Sequence, residues 1–184
     1  MAIVYVWVHP SGFSSERPGH CAIEINGTYI SHHPGAADGL KWNLAGNIQD
    51  QGLIAQATRM FLEGSSARTS KLFSYQEDCN ESERKPEYII ELNGLPNEHF
   101  VNTSELKRAF QGVKYSFFGQ NIRSDAMNCV QAVMTCLDGL LDGRLRGWTE
   151  DKGKSPVFPM QVAEYAYAVQ QYLQDLRRTA RYGV

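Results

Sequence analysis

Residues 20–32 read His20-Cys21-Ala22-Ile23-Glu24-Ile25-Asn26-Gly27-Thr28-Tyr29-Ile30-Ser31-His32. Apolar and β-branched residues stand on both sides of Asn26-Gly27, as is typical of paired strands. Asn-Gly is a strong signal for a two-residue hairpin turn, because both residues tolerate a positive φ. The stretch therefore predicts an antiparallel pair, and we expect the ends of the hairpin, His20 and His32, to lie side by side.

Further elements are predicted on both sides of this hairpin. The β-branched and aromatic residues of 2–8 and 87–92 predict two more strands. Residues 43–62 have a loose helical pattern that Gly46 and Gly52 weaken, so we expect a helix in the second half only. The polar and charged residues of 65–85 predict a loop.

Three helices are predicted in the last part of the chain. A capping-box pattern at Asn102 predicts a short helix through Phe110. The clearest helix begins near Asn128 and is expected to end at Gly143, because its apolar residues form one stripe: Val130, Val133, Met134, Leu137, Leu140 and Leu141. A last helix is predicted after Pro159, followed by a basic, solvated tail.

Composition limits the class of protein. The 184 residues are 42% hydrophobic and 21% charged, which favours one α+β domain over residues 1–184 rather than a disordered chain. Eighteen Lys and Arg against 20 Asp and Glu give a net charge of −2, which argues against binding of nucleic acid. The sequence has no apolar run of about 20 residues and no recognisable signal peptide. We therefore expect no transmembrane segment and synthesis in the cytoplasm.

Four cysteines are too few for a disulfide scaffold, and their spacing predicts no structural zinc site: Cys21, Cys79, Cys129 and Cys136. Cys129 follows Asn128 at a predicted helix start, where unpaired N–H groups and the helix dipole lower the pKa of a thiol. The same N–H groups could hold an oxyanion. Cys136, two turns later, is expected to fill the core. The alternative for Cys129 is also a small buried apolar side chain.

A cysteine nucleophile needs a base that is close in space but can be distant in sequence. His20 opens a predicted strand at a sheet end, where its ring could reach a helix N-terminus. His32 is the second candidate. The alternative for either residue is a hydrogen-bonded or exposed histidine without a chemical role.

The order of these motifs resembles the circularly permuted NlpC/P60 (papain-like) superfamily. In its lecithin:retinol-acyltransferase-like branch, a strand histidine and a second histidine twelve positions later precede an Asn-Cys that opens a helix. His20, His32 and Cys129 match these places. Residues 29–34 are similar to the hairpin of the Rho-inactivation-domain-like effectors, which have a catalytic aspartate between hairpin and cysteine. Asp78 is the candidate for that aspartate, and an ordinary loop acid is the alternative.

The resemblance implies a permuted papain-like fold and a thiol-dependent amide hydrolase that forms an acyl-enzyme on Cys129. His20 would be the base, and His32 or Asp78 would orient it, with no metal or organic cofactor. The resemblance further implies a bacterial effector toxin of a type VI secretion system, delivered into a target cell, that acts on peptidoglycan peptides. A secretion machinery and a cognate immunity protein would be its partners. Many relatives have Ser or Glu after the cysteine, where this chain has Val130, which leaves the substrate class open.

Two alternatives to hydrolysis remain at the level of sequence. One is transfer of a fatty-acyl group to lysine in host or target-cell proteins, as the resemblance to the toxin branch implies. The other is a binding module with an inert cysteine. A substrate groove is also conceivable around four aromatic residues, although aromatic side chains at such positions more often belong to the core: Tyr115, Phe117, Phe118 and Trp148.

Overall fold

A computed structural model describes residues 1–8, 19–34, 70–116, 125–141 and 158–182. The strands within these ranges are β1 Ala2–Trp7, β2 His20–Ile25, β3 Thr28–Ile30, β4 His32–Pro34, β5 Ser70–Leu72, β6 Tyr88–Leu92, β7 Lys114–Tyr115 and β8 Ala126–Met127. The helices are α1 Tyr75–Ser82, α2 Thr103–Gln111, α3 Cys129–Leu140 and α4 Pro159–Tyr182. The architecture is α+β, as the sequence predicted.

The main sheet is antiparallel, with the strand order β3-β2-β1-β6. The predicted hairpin between β2 and β3 is present: Asn26 and Gly27 have φ of 49° and 79°, and Ile25 pairs with Thr28. Asn and Gly fit this turn because they accept a positive φ with little or no steric cost.

The hairpin register corrects the predicted neighbour of His20. Since Ile25 pairs with Thr28 and Ile23 with Ile30, the same register places His33, not His32, opposite His20. The two imidazole rings of His20 and His33 lie 4.5 Å apart between centroids. A strand alternates its faces at every residue, so an error of one position moves a side chain to the other face. The hairpin pairing itself stops at Ile30, and β4 pairs with β5 in a second, two-stranded sheet.

The larger core lies on the face of the sheet that α3 and α4 cover. The apolar stripe predicted for α3 is buried there, apart from the half-buried Met134, and Cys136 lies among these residues as predicted. The helix ends at Leu140 rather than at Gly143. Leu141 has an extended ψ of 143° and is fully buried, so the chain leaves the helix while this side chain stays in the core.

The prediction of a loop over residues 65–85 was wrong for much of the part that the structure describes, residues 70–85. Residues 70–72 form β5, and Tyr75–Ser82 form α1. The helix start has a capping box in which Ser74 and Glu77 bond each other's backbone N–H groups, a pattern legible in the sequence. The surface of α1 is polar, so its hydrophobic periodicity is weak.

Helix α1 borders the second face of the sheet through a smaller cluster around Tyr5, Trp7 and Ala22, with Tyr75 among the side chains packed against it. The rings of Tyr5 and Tyr75 are 5.3 Å apart between centroids. The Trp7 indole donates a hydrogen bond of 3.1 Å to the carbonyl of Arg84, just beyond the helix. These contacts hold α1 beside the end of β2 that begins with His20.

The remaining predictions have mixed outcomes. The short helix capped by Asn102 is confirmed, and so is the helix after Pro159, whose last turns include the predicted basic tail with its exposed arginines. The helix predicted in the second half of 43–62 lies outside the described residues. Among the described residues, no helix has both the length and the apolar character needed to cross a bilayer.

Candidate active site

Cys129 is the first residue of α3, as the sequence predicted. Asn128 caps the helix: its side chain accepts a hydrogen bond of 2.9 Å from the N–H of Gln131, and the Gln131 side chain accepts one from the N–H of Asn128. The thiol therefore lies in the first helical turn, where backbone N–H groups lack intrahelical acceptors and the helix dipole favours negative charge. The residue is only 5% exposed.

His20 lies close enough to Cys129 for charge and hydrogen-bond interactions between the imidazole and the thiol to shift the pKa of both groups. Burial alone would lower the pKa of His20, but the charges of Cys129 and Asp78 and hydrogen bonds to both outweigh it and raise the pKa to about 10. The pKa of Cys129 is well below its usual value. The main cause is a hydrogen bond from the Cys21 side chain, burial opposes it, and the charge of His20 lowers the pKa further. This arrangement favours a thiolate–imidazolium pair at neutral pH.

Asp78 also lies beside the His20 ring. Its side chain is fully buried, and its Oδ1 is 3.5 Å from Nε2 of His20. The Tyr29 hydroxyl donates a short hydrogen bond of 2.6 Å to Oδ2. Burial would raise the pKa of this carboxyl, but the bonds and charge from His20 and the bond from Tyr29 lower it below its usual value. Asp78 is therefore ionised at neutral pH and stabilises a positive charge on His20.

Ser31 and His33 lie beside this group, and neither they nor Tyr29 were predicted as site residues. The Ser31 hydroxyl is 2.8 Å from Nε2 of His20. His33 places its Nε2 3.7 Å from Oδ1 of Asp78, and its ring stacks on Phe73 with 4.3 Å between centroids and 3° between planes. Burial is the main cause that lowers the pKa of His33 to about 3, so its imidazole is neutral at pH 7.

His32 lies on the opposite face of its strand. Its ring is 5.6 Å from the ring of Tyr115 and 6.1 Å from that of Phe110, and the residue is 1% exposed. Neither ring nitrogen makes a hydrogen bond of normal geometry among the described residues. Burial is the main cause that lowers the pKa of His32. The structure thus brings Cys129, His20 and Asp78 together and places His32 among aromatic side chains.

Tyr115 and Cys21 complete the surroundings of the thiol. The Tyr115 hydroxyl is in hydrogen-bonding contact with Cys129, and burial, with the nearby Cys129 and Cys21, raises the pKa of this phenol well above its usual value. Tyr115 therefore stays protonated and can donate a hydrogen bond. Of the four aromatic residues considered for a groove, Tyr115 is buried against the candidate nucleophile. Phe117, Phe118 and Trp148 lie outside the described residues.

The sequence held a signal for the residues that were missed. With Asn26-Gly27 as a two-residue turn, the residues that share a face with His20 on the returning chain are Tyr29, Ser31 and His33. These are the residues that the structure places around His20 and Asp78. Counting outward from the turn would have selected His33 instead of His32.

Comparisons of this chain with family models, with curated proteins and with solved structures found no match. The resemblance noted from the motifs stays a prediction. The chemistry of the site therefore follows first from the geometry of Cys129, His20 and Asp78.

The ionisation of Cys129 can be tested by alkylation. We expect iodoacetamide to modify Cys129 at pH 7 faster than Cys21 or Cys136, whose pKa values burial raises. Because the pKa of Cys129 is lowered, the rate should stay high as pH falls from 9 to 7 and decline only at lower pH. Peptide mapping by mass spectrometry after timed labelling measures this rate. A rate for Cys129 that follows the titration of an ordinary thiol, near pH ~8.5, would contradict it.

Proposed function

We propose that this chain is a thiol-dependent amide hydrolase, with a single permuted papain-like domain over residues 1–184. The observation that supports the proposal is that the His20 imidazole interacts with both the Cys129 thiol and the Asp78 carboxylate. A nucleophile, a base and a group that orients the base are what acyl transfer through a covalent intermediate requires. The three residues come from α3, β2 and α1, so the fold itself holds their spacing.

The first step is attack by the Cys129 thiolate on the substrate carbonyl. The proton of the thiol already resides on His20 in the thiolate–imidazolium pair, so the nucleophile is formed before the substrate binds. The sulfur forms a bond to the carbonyl carbon, and the carbonyl π electrons move to oxygen, which becomes an oxyanion.

Two donors adjoin the sulfur and can stabilise that oxyanion. One is the backbone N–H of Cys129, which has no intrahelical acceptor because it lies in the first turn of α3. The other is the Tyr115 hydroxyl, which contacts the thiol and remains protonated. Fixed donors in a buried site stabilise developing charge more than mobile water does.

The His20 imidazolium then gives its proton to the leaving amine as the carbon–nitrogen bond breaks. In the second half of the reaction His20 accepts a proton from water, the oxygen attacks the thioester, and the thiolate leaves. Asp78 stabilises the imidazolium between these transfers and orients the ring through Nε2. Asp78, not His32, takes the third position in this proposal, because it adjoins that nitrogen.

The substrate class in the proposal comes from the motif resemblance. We propose peptidoglycan peptides as substrates and a bacterial effector toxin as the biological role, with a secretion machinery and an immunity protein as partners. Transfer of an acyl group to a protein lysine uses the same acyl-enzyme and differs only in the acceptor. Compartment-specific toxicity separates these two possibilities.

The test expresses the wild type, Cys129→Ala and Cys136→Ala in the cytoplasm and, with an added signal peptide, in the periplasm of a bacterium. We expect lysis with periplasmic wild type and Cys136→Ala, and none with Cys129→Ala. The Cys136→Ala control removes a buried core thiol that lies two helical turns from the site. Immunoblots verify equal amounts of protein.

Two outcomes would contradict this proposal. Equal lysis by Cys129→Ala and wild type would exclude thiol catalysis. Harm confined to cytoplasmic expression, and dependent on Cys129, would replace the cell-wall substrate by protein acylation.

A further inference from the structure

The buried group around Asp78 includes His33, which the proposed hydrolysis does not use, beside His20 and Asp78, which it does. His20, His33 and Asp78 each offer one atom that could bind a metal ion, and these three atoms lie within 4.8 Å of one another. Asp78 Oδ1 is 3.5 Å from the first nitrogen and 3.7 Å from the second. Both separations exceed a normal N–H···O hydrogen bond, which spans about 2.7–3.2 Å.

Oδ1 of Asp78 makes no hydrogen bond of normal geometry among the described residues, although the side chain is fully buried. Its polar interaction with Nε2 of His20 is long, at 3.5 Å. The other oxygen, Oδ2, accepts the Tyr29 hydroxyl at 2.6 Å. A buried carboxylate oxygen that lacks a hydrogen bond of normal geometry is costly. This oxygen lies at nearly equal distances from one imidazole nitrogen of His20 and one of His33, an arrangement that fits three ligands of one metal ion.

We propose that His20, His33 and Asp78 bind one zinc ion. Two imidazoles and one carboxylate are a common ligand set for a zinc site with an open fourth position. A tetrahedral ion with ligands at about 2.0–2.2 Å places the ligand atoms about 3.3–3.6 Å apart. The observed separations of 3.5 and 3.7 Å between Asp78 and the two imidazoles are close to this range, and the third separation is within 4.8 Å. Ion binding would draw the ligand atoms together.

The surroundings of the three ligands fit this role. Tyr29 fixes the orientation of the Asp78 carboxylate, and Phe73 stacks on the His33 ring, as outer-shell groups do around metal ligands. The His33 side chain is 16% exposed, which gives an ion a path from solvent. Without zinc, the Ser31 hydroxyl contacts Nε2 of His20. When zinc occupies that nitrogen, Ser31 can form a hydrogen bond with Asp78 instead.

Zinc binding has a consequence that rests on the proposed function. An imidazole held by zinc at Nε2 is a weaker proton donor than imidazolium, because loss of its remaining proton leaves an imidazolate. Zinc at this site should therefore slow hydrolysis, and EDTA should restore the rate. His33→Ala should be resistant to zinc, because it removes a ligand that lies outside the proposed hydrolytic group.

Binding itself is tested without any assay of hydrolysis. The protein is the full chain with Cys129→Ala, which removes the nearby thiol as a competing ligand, and Zn²⁺ is titrated by calorimetry under reducing conditions. We expect one zinc ion per chain and an affinity at least about 100-fold lower when His33→Ala is added. Tyr29→Phe keeps the aromatic ring and should lower the affinity about 10–100-fold, since it removes an outer-shell bond to Asp78.

Tyr5→Phe is the matched control, because the Tyr5 hydroxyl bonds Glu24 and not Asp78. It should bind zinc as tightly as the parent. Circular dichroism verifies that each variant is folded. The proposal is overturned if the folded parent binds no zinc, or if His33→Ala and Tyr29→Phe both bind it as tightly as the parent. Such results would leave the alkylation and toxicity tests of thiol catalysis unaffected.

Discussion

Cys129→Ala is expected to abolish amide hydrolysis by the purified protein, with a loss of about 10⁴-fold or more in kcat. The reason is the loss of the covalent intermediate: without the sulfur, water must attack the amide directly. The measurement is the release of peptide fragments from isolated peptidoglycan, followed by chromatography and mass spectrometry. Intact-mass analysis of the wild type during turnover should also show the acyl group on Cys129.

Cys136→Ala supplies the control for this prediction. It makes the same chemical change within the same helix, but Cys136 is buried in the core, and burial raises its pKa to about 12. We expect its kcat to stay close to that of the wild type, with a small loss of thermal stability from the cavity. If both variants lose activity equally while both remain folded, the role assigned to Cys129 is wrong.

Asp78→Asn is expected to reduce kcat about 10²–10⁴-fold, the range in which general acid–base catalysis contributes. The amide keeps the approximate shape of the carboxylate but has no negative charge to stabilise the His20 imidazolium. The thiolate of Cys129, which depends on that imidazolium, should become less populated. The alkylation profile of Cys129 should therefore shift to higher pH, by about one unit or more.

The pH profile separates an electrostatic role from a merely structural one. A variant that only loosened α1 would lower activity without moving the apparent pKa of the thiol. Glu77→Gln is the matched control: it removes a neighbouring negative charge from the same helix, while glutamine can still accept the N–H of Ser74 in the capping box. An unshifted alkylation profile in folded Asp78→Asn would exclude Asp78 as the group that stabilises His20.

Local signals in the sequence were sufficient for most of the described elements. Asn26-Gly27 predicted the hairpin because the turn needs a positive φ at both positions, and these two residues tolerate it whatever surrounds them. Asn128 and the stripe after it predicted the start of α3 and therefore placed Cys129 in a first helical turn. The overlooked α1 also had a local signal, the pairing of Ser74 with Glu77. Its surface is polar, so hydrophobic periodicity could not predict it.

The identity of the histidine beside His20 depended on strand parity. The hairpin itself was predicted correctly, but the predicted neighbour of His20, His32, differs by one residue from the position that the observed register places opposite His20. Since neighbouring residues on a strand face opposite sides, His32 lies against the ring of Tyr115, and His33 lies beside His20 and Asp78.

The sequence by itself determined the elements that present the thiol and the imidazole, because turns, caps and apolar stripes are properties of neighbouring residues. Only the tertiary structure decided that the buried Asp78 on α1 lies beside His20, with one carboxylate oxygen near two imidazoles. The docking of α1 depends on aromatic contacts between residues far apart in the chain, such as Tyr5 with Tyr75. Burial and the resulting pKa values arise from that packing, which no local pattern specifies.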